Sequence, residues 1–276
     1  MTPNNRTAGQ VFGSLGKALC YLLLFLLTQS LVSIGYTLTA QLYATLNPGS
    51  GLNPTELVTS CIDQISLISG AAALIILAAF FLLRRKNPLK ECGFLRTRGR
   101  LVFLGVGLAP VLYLAIISVL GLLPEHWMED YLEASSVLSE TGILMVLSSV
   151  VMAPLVEEVI FRGLVLTRLH RGIPGWLAVL ITALLFSVCH AQVVWMAYAF
   201  VLGVLFGFLS LGARSIWPSL AAHLVFNGIG QFVVFLEERA VDSQFPLLML
   251  AGLGALICIA TLIFSLTHPL RSVSDT

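Results

Sequence analysis

The chain has 276 residues, of which 58% are apolar and 11% are charged, and its mean hydropathy is +0.95. Soluble domains carry about 25% charged residues, so this composition excludes an ordinary soluble protein and predicts an integral membrane protein. Disorder is excluded as well, because it requires low hydrophobicity and high net charge, whereas the formal net charge here is +1. Nothing in this balance indicates a nucleic-acid partner. The five cysteines are scattered without a CxxC spacing, and we interpret them as thiols with little redox meaning.

Eight continuous apolar stretches, each bounded by Gly, Pro or charge, predict eight membrane-spanning helices. They fall near residues 16–46, 62–83, 101–123, 141–168, 175–191, 193–213, 216–236 and 245–267. The first stretch is much longer than the apolar region of a signal peptide, which has about 7–15 residues, so we expect it to remain as a tilted anchor. The predicted fold class is all-α, a polytopic membrane helix bundle with about eight transmembrane helices in which residues 1–276 form a single integral membrane domain.

The distribution of charge predicts the orientation, because Lys and Arg near helix ends tend to remain cytoplasmic. The segment 84–100 holds seven of these residues, and placing it inside also puts every other Lys and Arg inside except Arg239. The segment 124–140 contains five acidic residues and neither Lys nor Arg, which suits the opposite face. We therefore expect a multi-pass protein of the cell membrane with both termini in the cytoplasm.

Three of the eight predicted helices contain polar groups that the lipid disfavours. An ionisable side chain near the bilayer centre costs at least about 2.5–3.5 kcal/mol. The groups are Glu157, Glu158 and Arg162 in the fourth helix, His190 at the end of the fifth, and His223 and Asn227 in the seventh. Each group alone has an ordinary structural explanation, such as a solvated helix end or a hydrogen-bonded core histidine. Their joint occurrence in one small apolar bundle favours a functional site.

Helical spacing predicts different surroundings for the two adjacent glutamates. Glu158 and Arg162 are four residues apart on one face, so we expect them to neutralise each other as an ion pair. Glu157 is rotated by about 100° from Glu158 and has no local cation. It therefore needs a partner from another helix.

The remaining motifs place two imidazoles beside aromatic and amide groups. His223 and Asn227 are four residues apart and face one spot in the bundle, and the same spacing places Phe186 one turn from His190. At about 1.5 Å per residue from the nearest cytoplasmic landmark, Glu157 and His223 lie about 16 and 13 Å deep, whereas His190 lies about 22 Å deep. This difference in depth is the weakest geometric step in bringing the three together.

A carboxylate and imidazoles that converge in a water-excluded interior can deprotonate a water molecule and direct it at a carbonyl, while further donors hold the oxyanion. Such a reaction hydrolyses a peptide bond without a covalent intermediate. Alternatively, Glu157, His190 and His223 are a set of three ligands that could hold Zn²⁺ and leave one position open for water. The residues alone leave both mechanisms open. The sequence contains no HExxH, GxGD or GxSG motif of another intramembrane protease chemistry.

The ordered motifs at 157–162, 186–190 and 223–227 resemble the EExxxR, FxxxH and HxxxN signature of the CPBP (CAAX protease and bacteriocin-processing, or Abi) intramembrane endopeptidases. The resemblance implies an eight-helix fold related to the type II CAAX prenyl endopeptidases, with residues 141–236 as the catalytic helices. It further implies the role of each site residue. Glu157 and His190 would activate the attacking water, His223 and Asn227 would stabilise the oxyanion, and Glu158 and Arg162 would support them.

The family has been described both as metal-independent glutamate proteases and as metalloproteases, so the expected cofactor is either none or Zn²⁺. Asn227 is a poor zinc ligand but a good oxyanion donor, which favours the former slightly. The expected partners are membrane lipids and a membrane-associated protein or peptide substrate that could be prenylated. Two functions of other classes stay open: a non-catalytic membrane scaffold or sensor, and a proton-coupled transporter that uses Glu157 and His190 as a relay.

Overall fold

The computed structural model describes residues 7–51, 53–136 and 142–267, and within these ranges the chain is helical and contains no strand. The all-α fold class is confirmed. Three charged residues that contributed to the predicted topology, Arg6, Glu140 and Arg271, lie outside the described residues.

Eight apolar helices form the bundle, and we number them α1 to α8. Their bounds are α1 Ala8–Leu46, α2 Ile62–Leu83, α3 Gly99–Leu120, α4 Ile143–Gly172, α5 Gly175–Val188, α6 Val193–Ala213, α7 Trp217–Glu237 and α8 Gln244–Thr267. Within the described part of the chain, seven of them are long and apolar enough to cross a membrane. The exception is α5, which has 14 residues and a length of about 21 Å against a hydrocarbon core of about 30 Å. The predicted fifth span is therefore corrected to a shorter helix.

Two hydrophobic cores hold the helices together. The larger core joins α1, α2, α4 and α5 through residues that include Phe25, Phe81 and Phe161. The smaller one joins α3, α6 and α7 around Phe206, and α8 packs against α3. Large apolar side chains such as Leu31 on α1 point outward, as a surface in contact with lipid requires. These helices and this apolar surface are those of a multi-pass membrane protein.

Helix α4 departs from regular α-helical geometry in two places. Leu147–Met152 and Glu158–Leu166 form π-helical turns, and Pro154 lies between them. Proline cannot donate to the carbonyl four residues earlier and clashes with it, so the wider turn before Pro154 relieves that conflict. π-Helical turns are frequent at functional sites, and the second one begins at Glu158.

The basic segment between α2 and α3 packs against the bundle. Ile216 N donates to Gly93 O at 3.0 Å, and Ser215 Oγ donates to Leu95 O at 2.7 Å. Arg168 of α4 is 5% exposed and forms an ion pair with Glu91 at 2.8 Å. Arg168 therefore anchors the segment to α4.

Glu91 belongs to a short helix, Pro88–Glu91, within this segment. Partial burial raises the pKa of the Glu91 carboxyl, but Lys86 and Arg168 outweigh this effect and hold the pKa below its ordinary value. The carboxylate therefore remains charged and paired at neutral pH.

The segment between α3 and α4, which carries acidic residues, contains a further helix, Glu125–Ser136. The ring of its Tyr131 packs edge-on against Trp195 of α6, with ring centroids 6.0 Å apart.

A substitution of Gly163 tests how closely the segment between α2 and α3 approaches α4. A Cβ atom at residue 163 would overlap the carbonyl of Cys92, and both partners of that contact are backbone. We expect Gly163→Ala to lower the free energy of unfolding by about 1–3 kcal/mol, as overpacking does, in thermal unfolding of the detergent-solubilised protein. Gly212→Ala on α6 is the control, because a Cβ there meets nothing within 4 Å. Equal stability of the two variants would contradict the packing described.

Candidate functional site: a buried carboxylate, guanidinium and imidazole cluster

The antiparallel hairpin of α4 and α5 brings Glu157 and His190 to the same depth. Glu157 lies 15 residues before Gly172 at the end of α4, and His190 lies 15 residues after Gly175 at the start of α5. Counted from this shared turn, both are about 22 Å deep. The predicted mismatch in depth arises from landmarks at different distances from the turn, and it disappears when both residues are counted from the turn itself. The ring contact of Phe161 with Phe186, with centroids 5.1 Å apart, confirms the register.

Glu158 and Arg162 form the predicted ion pair, with Oε1 and Nη1 separated by 2.9 Å. Their side chains are 0% and 1% exposed, so neither charge reaches lipid or water. The guanidinium carbon lies 4.5 Å from the ring centre of Phe186 and 5.7 Å from that of Phe206. A desolvated cation over an aromatic face gains about 2 kcal/mol or more. The two rings therefore supply stabilisation where Arg162 Nε and Nη2 have no hydrogen-bond partner among the described residues.

His223 of α7 bridges the two adjacent glutamates. Its Nδ1 is 3.1 Å from Glu158 Oε1, and its Nε2 is 3.6 Å from Glu157 Oε2. This confirms that Glu157 takes a partner from another helix. Because a carboxylate only accepts hydrogen bonds, Nδ1 carries a proton that it donates to Glu158, and Nε2 is directed at Glu157. The imidazole thus links the buried carboxylate to one whose side chain is 23% exposed.

His190 lies in the turn that follows α5 and is half-buried. Its Nδ1 is 2.9 Å from the carbonyl oxygen of Phe186, and since that oxygen only accepts, Nδ1 is the protonated nitrogen. Nε2 is then left with a lone pair that can take a proton. The Phe186 ring contacts the rings of His190 and His223, with centroids 4.8 and 6.1 Å apart. This one aromatic ring therefore contacts both imidazoles and confirms the predicted FxxxH contact.

Asn227 faces α4 one turn along α7 from His223, as the spacing predicted. Its Nδ2 donates to the carbonyl of Ser149 at 2.9 Å, in the first π-helical turn of α4. A primary amide has two N–H groups, so this bond fixes the amide and leaves a second donor. The side chain is half-buried, at the edge of the cluster.

The structure brings Glu157, Glu158, Arg162 and His223 into one connected cluster, and the Phe186 ring links His190 to it. Among the described residues, no hydrogen bond or ion pair joins Glu157 to His190, and no three His, Cys, Asp or Glu side chains are grouped closely enough to hold a metal ion. The zinc ligand set predicted as an alternative, Glu157, His190 and His223, is therefore not assembled as a cluster.

Sequence reasoning missed two contributors to this cluster. Phe206 of α6 covers Arg162 and also contacts His223, with ring centroids 5.5 Å apart. Ser149 contributes a backbone carbonyl, for which no side-chain pattern exists. Phe206 occurs within a run of apolar residues, and nothing in its spacing distinguishes it from a core phenylalanine.

A comparison with known protein families matches the region of the chain that contains this cluster. The family described as "Type II CAAX prenyl endopeptidase Rce1-like" matches residues 139–229, which include all three motifs. The curated protein named "Putative membrane peptidase YdiL", from Bacillus subtilis (strain 168), is 31% identical over 100 residues, or 36% of this chain and 40% of the relative. The match therefore spans about two fifths of that relative's length. No solved structure matches the chain.

The two adjacent glutamates should differ in their contribution to stability. Arg162→Met leaves the Glu158 carboxylate buried without its cation, so we expect the free energy of unfolding to fall by about 3–5 kcal/mol. Glu157→Gln removes only a long contact at a partly exposed side chain, and we expect a loss of no more than about 1.5 kcal/mol. Denaturant unfolding in detergent micelles measures both, and a smaller loss for Arg162→Met than for Glu157→Gln would contradict this assignment.

Proposed function

We propose that the chain is an intramembrane endopeptidase of the CPBP family related to the type II CAAX prenyl endopeptidases, which it resembles through residues 139–229. It hydrolyses a peptide bond in a membrane-associated or lipidated, CAAX-like protein or peptide. The observation that carries the proposal is the Glu157 carboxylate, which is partly exposed, contacts His223 and is linked to His190 through the Phe186 ring that contacts both imidazoles. Membrane protease activity in general is the function that both comparisons support.

In this mechanism Glu157 and His190 activate the attacking water. The lone pair on His190 Nε2 and the Glu157 carboxylate are both bases, and a water molecule between them would give up its proton as its oxygen attacks the scissile carbonyl. No covalent enzyme intermediate forms. When the tetrahedral intermediate collapses, the same proton passes to the leaving amine, so each cycle consumes one water molecule and restores both bases.

His223 and Asn227 stabilise the oxyanion of the tetrahedral intermediate. With Nδ1–H donating to Glu158, a second proton on Nε2 makes His223 a cation that balances the charge of the two carboxylates and Arg162. Nε2–H and the remaining N–H of Asn227 are then the donors for the developing negative charge. Donors of this kind typically contribute about 10²–10³-fold to kcat.

Glu158 and Arg162 act as supporting residues and do not touch the substrate. Glu158 orients the imidazole of His223, and Arg162 holds the Glu158 carboxylate in place. A histidine whose second nitrogen is fixed by a carboxylate keeps one tautomer and one ring orientation. This assignment explains why a charged pair is retained in a site that neither lipid nor water reaches.

We place the protein in the cell membrane with both termini and the basic segment 84–100 in the cytoplasm, in accord with the positive-inside rule. The α4–α5 turn is then cytoplasmic. A substrate reaches the site from the cytoplasmic face or laterally from the lipid, so membrane lipids and a lipid-anchored or membrane-embedded peptide, such as a prenylated one, are the partners. The low charge of the chain gives no basis for nucleic-acid binding.

Loss of either base should stop proteolysis without loss of the protein. We expect Glu157→Ala and His190→Ala to insert stably and to lower cleavage by about 10²–10⁴-fold, the usual contribution of a general base. Comparative peptidomics of membranes carrying the parent protein or each variant measures this as accumulation of uncleaved substrate.

Glu129→Ala and His126→Ala are matched controls, because both side chains are exposed on the helix Glu125–Ser136. They should process substrate like the parent. If Glu157→Ala and His190→Ala also did so, the protein would be a scaffold or sensor and the catalytic assignment would be wrong. Uptake into proteoliposomes that depends on a pH gradient would instead support the proton-coupled transporter.

Metal dependence has a separate test. Since the three candidate ligands are not grouped as a metal site, we expect the protein, purified without an affinity tag, to cleave its substrate at an unchanged rate in strong chelator. Elemental analysis of the same sample measures bound metal. Stoichiometric zinc together with loss of activity on chelation would replace the glutamate mechanism with the zinc mechanism.

A further inference from the structure

A small cavity adjoins Glu157 on the side of α4 that faces α1 and α2. Its volume is about 80 Å³, and its polar lining consists of Gln29 of α1, Ser66 of α2 and Glu157, among apolar side chains such as Phe25 and Met152. Gln29 is an uncharged polar residue inside a long apolar span. The cavity is separate from the contacts of the carboxylate with His223.

The polar groups beside this cavity are held in a fixed arrangement. Ser69 is fully buried, and its hydroxyl donates to Gln29 Oε1 at 2.6 Å. This bond engages the carbonyl end of the Gln29 amide, so the two N–H groups at its other end remain as donors. A polar side chain buried in an apolar environment costs about 1–3 kcal/mol unless it is hydrogen-bonded. Gln29 is partly buried, so an acceptor in the cavity would satisfy these donors.

Water matches both the size and the polarity of this space. About 10–15 Å³ suffices for one water molecule, so a cavity of about 80 Å³ holds several. A buried water also needs two to four polar partners. Glu157 supplies acceptors, Gln29 supplies donors, and the hydroxyl of Ser66 can act as either.

We propose that this cavity is a hydration site that supplies water to Glu157, with Gln29 and Ser66 as positioning residues. Peptide hydrolysis consumes one water molecule per turnover, and the cores that surround the cluster are apolar. Water held by the Gln29 amide and the Ser66 hydroxyl lies against the carboxylate that deprotonates it. The catalytic part of this inference rests on the proposed endopeptidase function, whereas the hydration of the cavity does not.

Hydration is tested without any substrate by thiol chemistry. A thiol alkylates as its thiolate, which forms in water and not in lipid. In a variant whose five native cysteines are replaced by Ala, we expect Ser66→Cys to react with iodoacetamide in nanodiscs at least about tenfold faster than Ile68→Cys. Ile68 is the matched control, because it lies on the same helix with 49% exposure on the outer surface of the bundle. Mass spectrometry measures both rates, and equal rates or an unreactive Ser66→Cys would overturn the proposal.

The catalytic role is tested by filling the cavity. Ser66→Leu fills it and should lower kcat by about 10²-fold with KM unchanged, as loss of a positioned reactant does. Gln29→Met should act in the same direction. Thr28→Val is the control, since the Thr28 hydroxyl donates to its own helix at Leu24 O. Full kcat in Ser66→Leu and Gln29→Met would overturn the role in water supply.

The two proposals fail separately. If the parent protein cleaves no peptide while Ser66→Cys is alkylated rapidly, the proposed endopeptidase function fails and the hydration site stands. If the parent is active while Ser66→Cys is unreactive, the endopeptidase stands and water reaches Glu157 by another route.

Discussion

The ion pair between Glu158 and Arg162 is the constraint on which the catalytic half of the bundle depends. Both side chains are inaccessible, and a buried charge that loses its partner costs about 3–5 kcal/mol. The other helices must therefore supply everything that surrounds the pair. Helices α5 and α6 supply the rings of Phe186 and Phe206, and α7 supplies the imidazole of His223. Side chains of α4 to α7 thus take the place of water around this ion pair.

Two adjacent glutamates acquire opposite properties from this arrangement. Because neighbouring residues on a helix point about 100° apart, Glu158 is directed at Arg162 while Glu157 is directed at His223 and at the cavity beside α1 and α2. The first carboxylate is fixed by two partners and serves to orient the imidazole. The second has one long contact and partial exposure, so it remains available to a reactant. The reactive carboxylate of Glu157 and the fixed carboxylate of Glu158 thus belong to consecutive residues.

The sequence predicted those parts of the site that depend on helical spacing. Residues four apart meet on one face whatever the tertiary fold, so the Glu158–Arg162 pair and the contact of Phe186 with His190 could be predicted and are confirmed. Contacts between helices could not be predicted in this way, because they depend on where each helix begins and how it packs. The depth of Glu157 relative to His190 was misjudged until the shared turn of α4 and α5 was known. The bridging position of His223 between two carboxylates had no signal in the sequence.

Gln29 illustrates a different limit, since only ionisable groups stand out as costly exceptions in an apolar span. An amide does not stand out in this way because it carries no charge. A water site beside Glu157 requires an uncharged polar group of this kind. A lysine in its place would form an ion pair with the carboxylate, and an aspartate would repel it, and either would alter the charge balance with Arg162 and His223. An amide and a hydroxyl bind water without changing that balance. The uncharged polar residues of α1 and α2 are therefore compatible with the base that they adjoin.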